Sequence, residues 1–102
     1  MDEKCFWVYI LECENGSYYT GYTTDLLKRF QLHVDGKASK YTRSFKPIKI
    51  AQAWKIESDK SLAMRLENQL KKLSRVEKEK MIRNPMLLLS TVVDAHSERR
   101  LG

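Results

Sequence analysis

The strongest constraint on the fold lies near the start of the chain. Residues 5 to 13 read Cys-Phe-Trp-Val-Tyr-Ile-Leu-Glu-Cys. This β-branched and aromatic run predicts a strand buried on both faces. Glu14-Asn15-Gly16 follows as a turn signal, and Ser17 to Thr23 reads as a second strand, so a hairpin is expected. Two registers satisfy it. A two-residue loop, Asn15-Gly16, pairs positions summing to 31 and puts Tyr9 and Tyr19 on opposite faces. A three-residue loop, Glu14-Asn15-Gly16, pairs positions summing to 30. It sets Tyr9 across from Gly21 and Leu11 across from Tyr19, with both tyrosines on one face. In that case Gly16 supplies the left-handed residue of a type I turn with a G1 bulge.

The rest of the chain divides readily. Thr24 or Asp25 can cap a helix running to about Val34, with Leu26, Leu27, Phe30 and Val34 on its apolar side. Asp35-Gly36-Lys37 ends it, and Ala38 to Pro47 reads as a basic loop with room for one short helical turn. Ile48 to Ile56 is a third strand with Trp54 and Ile56 on one face. Ser58 or Asp59 caps the longest helix, about 60 to 73, where Leu62, Leu66, Leu70 and Leu73 form one stripe. Ser74-Arg75-Val76-Glu77 has the form of a capping box, so a new short helix begins there and Pro85 stops it. Residues 1–84 are expected to form the working domain. Residues 85–102 form an apolar segment, Met86 to Val93, followed by a polar tail.

With 102 residues, the chain is one domain with a modest core. Hydrophobic residues make up 42% of it, which argues against disorder, and no apolar stretch reaches the ~18 residues of a membrane span. The charged start, Met1-Asp2-Glu3-Lys4, has no signal-peptide core behind it, so a cytoplasmic protein is expected. Cys5 and Cys13 on one strand would stand roughly 26 Å apart, too far for a disulfide and without zinc-ligand spacing. Both read as reduced packing residues. The formal charge of +6 suggests a polyanionic partner, nucleic acid being the commonest.

Three sets of residues can carry chemistry. Tyr9 and Tyr19 share a face in the second hairpin register, although tyrosines are also simply good strand residues. Arg29 and His33 stand four apart on one helix face, where an Arg offers fixed donors to phosphate and a His can move a proton; the same spacing also suits a solvated face. Glu67 falls beside Ala63 and Leu70 at the rim of the leucine stripe, a position that suits a metal ligand or an ion pair with a nearby lysine.

The order Val8-Tyr9-Ile10, Tyr19-Thr20-Gly21, Arg29 with His33, then Glu67 resembles the GIY-YIG nuclease superfamily, over roughly residues 5 to 82. It looks most like the compact single-domain bacterial members, to which Lys40-Tyr41-Thr42-Arg43 and Lys71-Lys72-Leu73-Ser74-Arg75 are also similar. The resemblance implies an α+β fold, a three-stranded antiparallel sheet flanked by helices. It makes Tyr9 and Tyr19 the motif tyrosines, Arg29 the phosphate-contacting arginine, His33 a position that is His or Tyr, and Glu67 the single protein ligand of a divalent ion. Three departures stand out. Val8 replaces the first motif glycine and Thr20 the second motif's isoleucine. A polar residue that several members place after the glutamate, often Asn, has no secure counterpart, Asn68 and Asn84 being the nearest.

The activity so implied is hydrolysis of nucleic-acid phosphodiesters with Mg²⁺ or Mn²⁺, DNA favoured over RNA, structure-guided or weakly specific. Tyr9 or His33 is the general base. Lys28, Lys37, Lys40, Tyr41, Arg43, Lys46, Lys71, Lys72 and Arg75 are the expected nucleic-acid footprint, although such residues also serve as solubilising surface. Two other readings stand beside it. One is a binding module on the same fold with catalysis lost. The other is an interaction protein that dimerises through 86–93.

Overall fold

Seven elements follow one another in the computed structural model, which describes residues 5–57 and 59–88. They are β1 (Cys5–Cys13), β2 (Tyr18–Thr23), α1 (Leu26–Val34), α2 (Lys40–Ser44), β3 (Pro47–Glu57), α3 (Lys60–Lys72) and α4 (Arg75–Arg83). The strands form one antiparallel sheet in the order β2-β1-β3, so β1 is central. Its middle is buried on both faces, as its unbroken apolar run requires. The expected α+β architecture is the observed one.

The hairpin takes the three-residue register. Tyr9 pairs with Gly21 and Leu11 with Tyr19. Gly16 has φ 82° and its N–H donates to the Cys13 carbonyl at 2.8 Å, while Cys13 N–H reaches the Ser17 carbonyl at 2.9 Å. A left-handed residue is needed at this point, and glycine meets the need without a Cβ penalty. Two tyrosines thereby come to one side of the sheet.

Helix starts and stops follow the sequence closely. Asp25 accepts the Lys28 N–H and Asp59 that of Leu62, and Ser74 with Glu77 makes the capping box. The end of α1 is a Schellman turn. Gly36 is left-handed at φ 74°, its N–H reaches the His33 carbonyl, and Lys37 N–H reaches that of Leu32 at 2.8 Å. The basic segment 38–47 takes the short helical turn it had room for, a five-residue helix, α2, capped by Ser39, and Pro47 begins β3 one residue before the expected Ile48. Leu27 also departs from expectation. It is 74% exposed, because α1 turns only its His33 side into the interior.

The core lies on one face of the sheet. Phe6, Val8 and Ile10 of β1 with Trp54 and Ile56 of β3 meet Ala63, Leu66 and Leu70 of α3. Truncating a leucine such as Leu66 to alanine should cost about 2–5 kcal/mol. Leu88, in a helical turn at 86–88, joins this cluster, and the Trp54 indole N–H donates to the Pro85 carbonyl at 2.7 Å. The apolar segment thus begins by closing the core; its remainder, 89–93, and the polar tail lie outside the described residues. On the opposite face, Tyr9, Leu11 and Cys13 are covered from the side of α1 and α2, with His33 and Thr42 buried there. Cys5 and Cys13 are free thiols at the two ends of β1. No helix among the described residues is long and apolar enough to cross a membrane.

Candidate active site

The α1–α2 side of the sheet contains a buried polar cluster. Its first member is Tyr9, 2% exposed at the centre of β1. Its hydroxyl fits because Gly21 opposes it: a Cβ built on Gly21 would lie 2.5 Å from the Tyr9 Oη and 2.7 Å from Cζ. Only glycine leaves room there for the phenol.

His33 projects from α1 into the same space, 1% exposed. Its Nε2 lies 2.9 Å from Tyr9 Oη and its Nδ1 lies 2.7 Å from Thr42 Oγ1. Thr42 is also 1% exposed, and its hydroxyl stands 2.8 Å from Ser39 Oγ. The ring of Tyr19 lies 5.0 Å from that of His33, and the Tyr41 ring stacks on Tyr19 at 6.0 Å with 23° between planes. The Tyr41 hydroxyl donates to Ser17 Oγ at 2.5 Å, which ties α2 to the hairpin turn and holds this stack in place.

Charges surround the cluster without entering it. Burial, and then the neighbouring Tyr19, push the Tyr9 phenol well above its ordinary range; Arg29 opposes this and Glu67 adds to it. Burial first, and Arg29 second, push the His33 imidazole down to about 4. Both groups are therefore neutral near pH 7, and both Arg29 and Glu67 lie close enough for their charge to be felt at Tyr9. Arg29 is half-buried and borders two hollows, of about 460 and 410 Å³, the first shared with Lys60 and the second with Lys28. The Glu67 side chain is 14% exposed and pairs with Lys71 at 3.5 Å. Among the described residues no three His, Cys, Asp or Glu side chains gather into a metal cage. A single rim carboxylate fits an ion that keeps water and shares substrate oxygens, which is the habit of Mg²⁺.

These five residues, expected from sequence, are thus brought to one region. Residues 5–80 fit the GIY-YIG catalytic domain. The chain belongs to the GIY-YIG family. It is 49% identical over 76 residues to the UPF0213 protein of Halalkalibacterium halodurans, covering 74% of this chain and 80% of that one. It is 45% identical over 82 residues to a UPF0213 protein of Streptococcus pneumoniae, covering 80% and 81%. The solution NMR structure of the Bacillus halodurans UPF0213 protein superposes with a TM-score of 0.51 at 46% identity, covering 78% of this chain and 83% of that one. GIY-YIG membership places the chain in a nuclease family, among its compact single-domain members.

Two departures from the GIY-YIG motifs now have a place. Val8 is fully buried in the α3-side core, and Thr20 faces the same side, 4% exposed. Both point away from the Tyr9 hydroxyl. The Thr20 hydroxyl has no hydrogen-bond partner, an unpaired polar atom where isoleucine would be apolar.

The expected basic footprint is dispersed. Lys37, Lys40 and Arg43 border one hollow of about 520 Å³. Tyr41 and Lys71 border a groove of about 230 Å³ across the β2 edge strand. Lys28 lies beside Arg29. Lys46 is exposed just before β3. Lys72 borders a different hollow, between α3 and α4. Arg75 is exposed, yet its guanidinium is engaged within the chain: Nη1 donates to the Gly16 carbonyl at 2.6 Å, Nε pairs with Glu79 at 3.4 Å, and the group lies 4.7 Å over Tyr18. Lys60 and Lys78 line the hollows beside Arg29 and Lys71 and were not among the expected residues. Nor were Thr42 and Ser39. The Thr42 hydroxyl reaches His33, and Ser39 reaches it through Thr42, because the chain after the Schellman turn brings α2 back against α1, a direction that the Asp35-Gly36-Lys37 stop signal does not specify.

Proposed function

We propose that the protein is a divalent-metal-dependent endonuclease that hydrolyses nucleic-acid phosphodiester bonds, DNA in preference to RNA, with little sequence specificity. One observation carries the reading. A buried phenol, Tyr9, meets an imidazole at 2.9 Å and feels both a guanidinium, Arg29, and a carboxylate, Glu67. Such a cluster offers a proton acceptor, a cation for phosphate and a carboxylate for a metal ion around one phenol.

In this reading Glu67 would hold Mg²⁺ or Mn²⁺. Bound there, the ion supplies charge stabilisation at the leaving oxygen. Arg29 meets the phosphate and offsets charge building on its non-bridging oxygens. Tyr9 Oη takes the proton of the attacking water, with His33 as the partner of that hydroxyl. Tyr19, packed on His33, orients the phosphate or the water. Gly21 and the three-residue hairpin fix the relative positions of the two tyrosines. The +6 charge and the exposed cations around the site favour a polyanion, and among the described residues no element beyond the sheet and its helices is available to read base edges, which favours structure-guided cutting. We place the reaction in the cytoplasm, where thiols such as Cys5 and Cys13 stay reduced.

Incubating the protein with branched, flapped and nicked DNA, and with RNA, plus Mg²⁺ or Mn²⁺ tests this. Metal-dependent strand scission of DNA is the expected result. Binding without scission on every substrate would favour a non-catalytic nucleic-acid-binding module, the reading to which the missing asparagine counterpart lends support.

A further inference from the structure

The cluster continues past His33, and its continuation is what the reaction outlined above does not use. From Tyr9 Oη the chain of contacts runs 2.9 Å to His33 Nε2, then from Nδ1 2.7 Å to Thr42 Oγ1, then 2.8 Å to Ser39 Oγ. Tyr9, His33 and Thr42 are buried, whereas Ser39 is half-buried and borders the open hollow between Gly36 and Arg43. Thr42 N–H donates to Ser39 Oγ at 3.1 Å, which fixes the last link. We propose that Tyr9, His33, Thr42 and Ser39 form a proton wire that carries the proton of the attacking water out of the site to solvent at Ser39. This rests on the nuclease reading.

The resting polarity follows from acid and base strength. A phenol is a stronger acid than an imidazole N–H, and an imidazole nitrogen is a better acceptor than a phenol oxygen. Tyr9 therefore donates to Nε2, which leaves the His33 proton on Nδ1, donating to Thr42 Oγ1. The Thr42 hydroxyl then donates to Ser39 Oγ, and the Ser39 hydroxyl proton faces solvent. This arrangement leaves a lone pair of Tyr9 Oη to accept from water.

On attack, an O–H bond of the water breaks and its proton bonds to Tyr9 Oη. The Tyr9 proton passes to Nε2, the Nδ1 proton to Thr42 Oγ1, the Thr42 proton to Ser39 Oγ, and the Ser39 proton to bulk water. The water oxygen bonds to phosphorus while the P–O bond to the leaving oxygen breaks with its electron pair. One proton enters and one leaves, and every member is neutral before and after. A wire suits these groups. Tyr9 holds its proton more tightly than a free phenol and His33 gains one only well below neutrality, so neither serves well as an isolated base. Thr42 and Ser39 are positioning residues here, since they act through His33.

The test uses ¹⁵N NMR of labelled histidine, proton inventory in H₂O/D₂O mixtures and single-turnover cleavage, on the parent, Thr42→Val and Thr42→Ser. The parent should hold the His33 proton on Nδ1 and give a bowed inventory, several protons moving together. Thr42→Val should shift the proton to Nε2 and slow cleavage at least about tenfold with binding unchanged. Thr42→Ser should restore both. An Nε2–H tautomer in the parent, or a folded Thr42→Val protein that keeps the Nδ1–H tautomer, overturns the wire whether or not the parent cleaves. A parent that cleaves nothing overturns the nuclease reading instead, and the wire with it as a catalytic device. Should Thr42→Val fail to fold, the parent alone decides: a linear inventory, one proton in flight, overturns the proposal, and a bowed one supports it.

Discussion

Gly21 stands directly across from Tyr9 in the β1–β2 ladder, and the space a side chain would take at Gly21 is filled by the Tyr9 phenol. The backbone at Gly21 needs no left-handed conformation, so the reason for glycine is close approach alone. The consequence is testable. Gly21→Ala should displace the Tyr9 ring, break its bond to His33 and destabilise the fold by about 1–3 kcal/mol, the usual cost of overpacking. Cleavage should fall by about 10² or more. Thermal melting and cleavage on the same preparation check this; parental activity at parental Tm would remove the assigned role of Gly21.

Thr20 offers the opposite expectation. Its hydroxyl is buried on the core side without a partner. Thr20→Val keeps the shape and removes the unpaired group, so it should stabilise by about 1 kcal/mol and leave cleavage unchanged. A denaturant midpoint that moves down instead would mean that the hydroxyl is satisfied in solution.

His33 makes stability depend on pH in a defined window. Burial, and then Arg29, lower its folded pKa from 6.5 to about 4. Between those values the unfolded chain binds a proton that the folded one does not. The contribution of His33 is therefore complete above about 6.5 and is lost as pH falls toward 4. Melting temperature should decline across that range in the parent and decline less in His33→Gln. Matching curves for the two proteins would place the acid sensitivity elsewhere.

Salt separates Lys40 from Arg75, which is exposed but engaged within the chain. Binding to DNA should weaken steeply as salt rises, since each neutralised phosphate releases counterions. Lys40→Ala should reduce the salt slope by about 1. Arg75→Ala should leave the slope alone and lower stability, because the guanidinium is engaged by Gly16, Glu79 and Tyr18. Titrations at several salt concentrations give both slopes, and a reduced slope for Arg75→Ala would show that it meets phosphate.

Most of the fold was legible because its signals are local. Caps at Asp25, Asp59 and Ser74, and the leucine stripe of α3, depend on neighbours within a turn. The hairpin register was legible only as two alternatives. Choosing between them involves Gly16 in a left-handed turn whose carbonyl is also bound by Arg75, 59 residues away. Leu27 misled because spacing marks an apolar side without saying how much of it is covered. At the candidate site, Tyr9, Tyr19, Arg29, His33 and Glu67 were found by their order along the chain. Thr42 and Ser39 were not, since their link to His33 depends on the path of residues 35–39 rather than on any spacing.

The pairing of Glu67 with Arg29 around Tyr9 is the core of the proposed chemistry, and one comparison probes it most directly. Single-turnover cleavage and DNA binding are measured for the parent, Glu67→Ala and Arg29→Ala with Mg²⁺ or Mn²⁺ present. Glu67 holds a cation and otherwise repels phosphate, so Glu67→Ala should abolish cleavage while binding stays intact or tightens slightly. It also releases Lys71 from its 3.5 Å pair, which adds to the tightening. Arg29→Ala should lose about 10²–10³ in rate and some affinity, as expected for one preorganised charge contact. Normal metal-dependent cleavage by the Glu67→Ala protein would contradict the proposed mechanism.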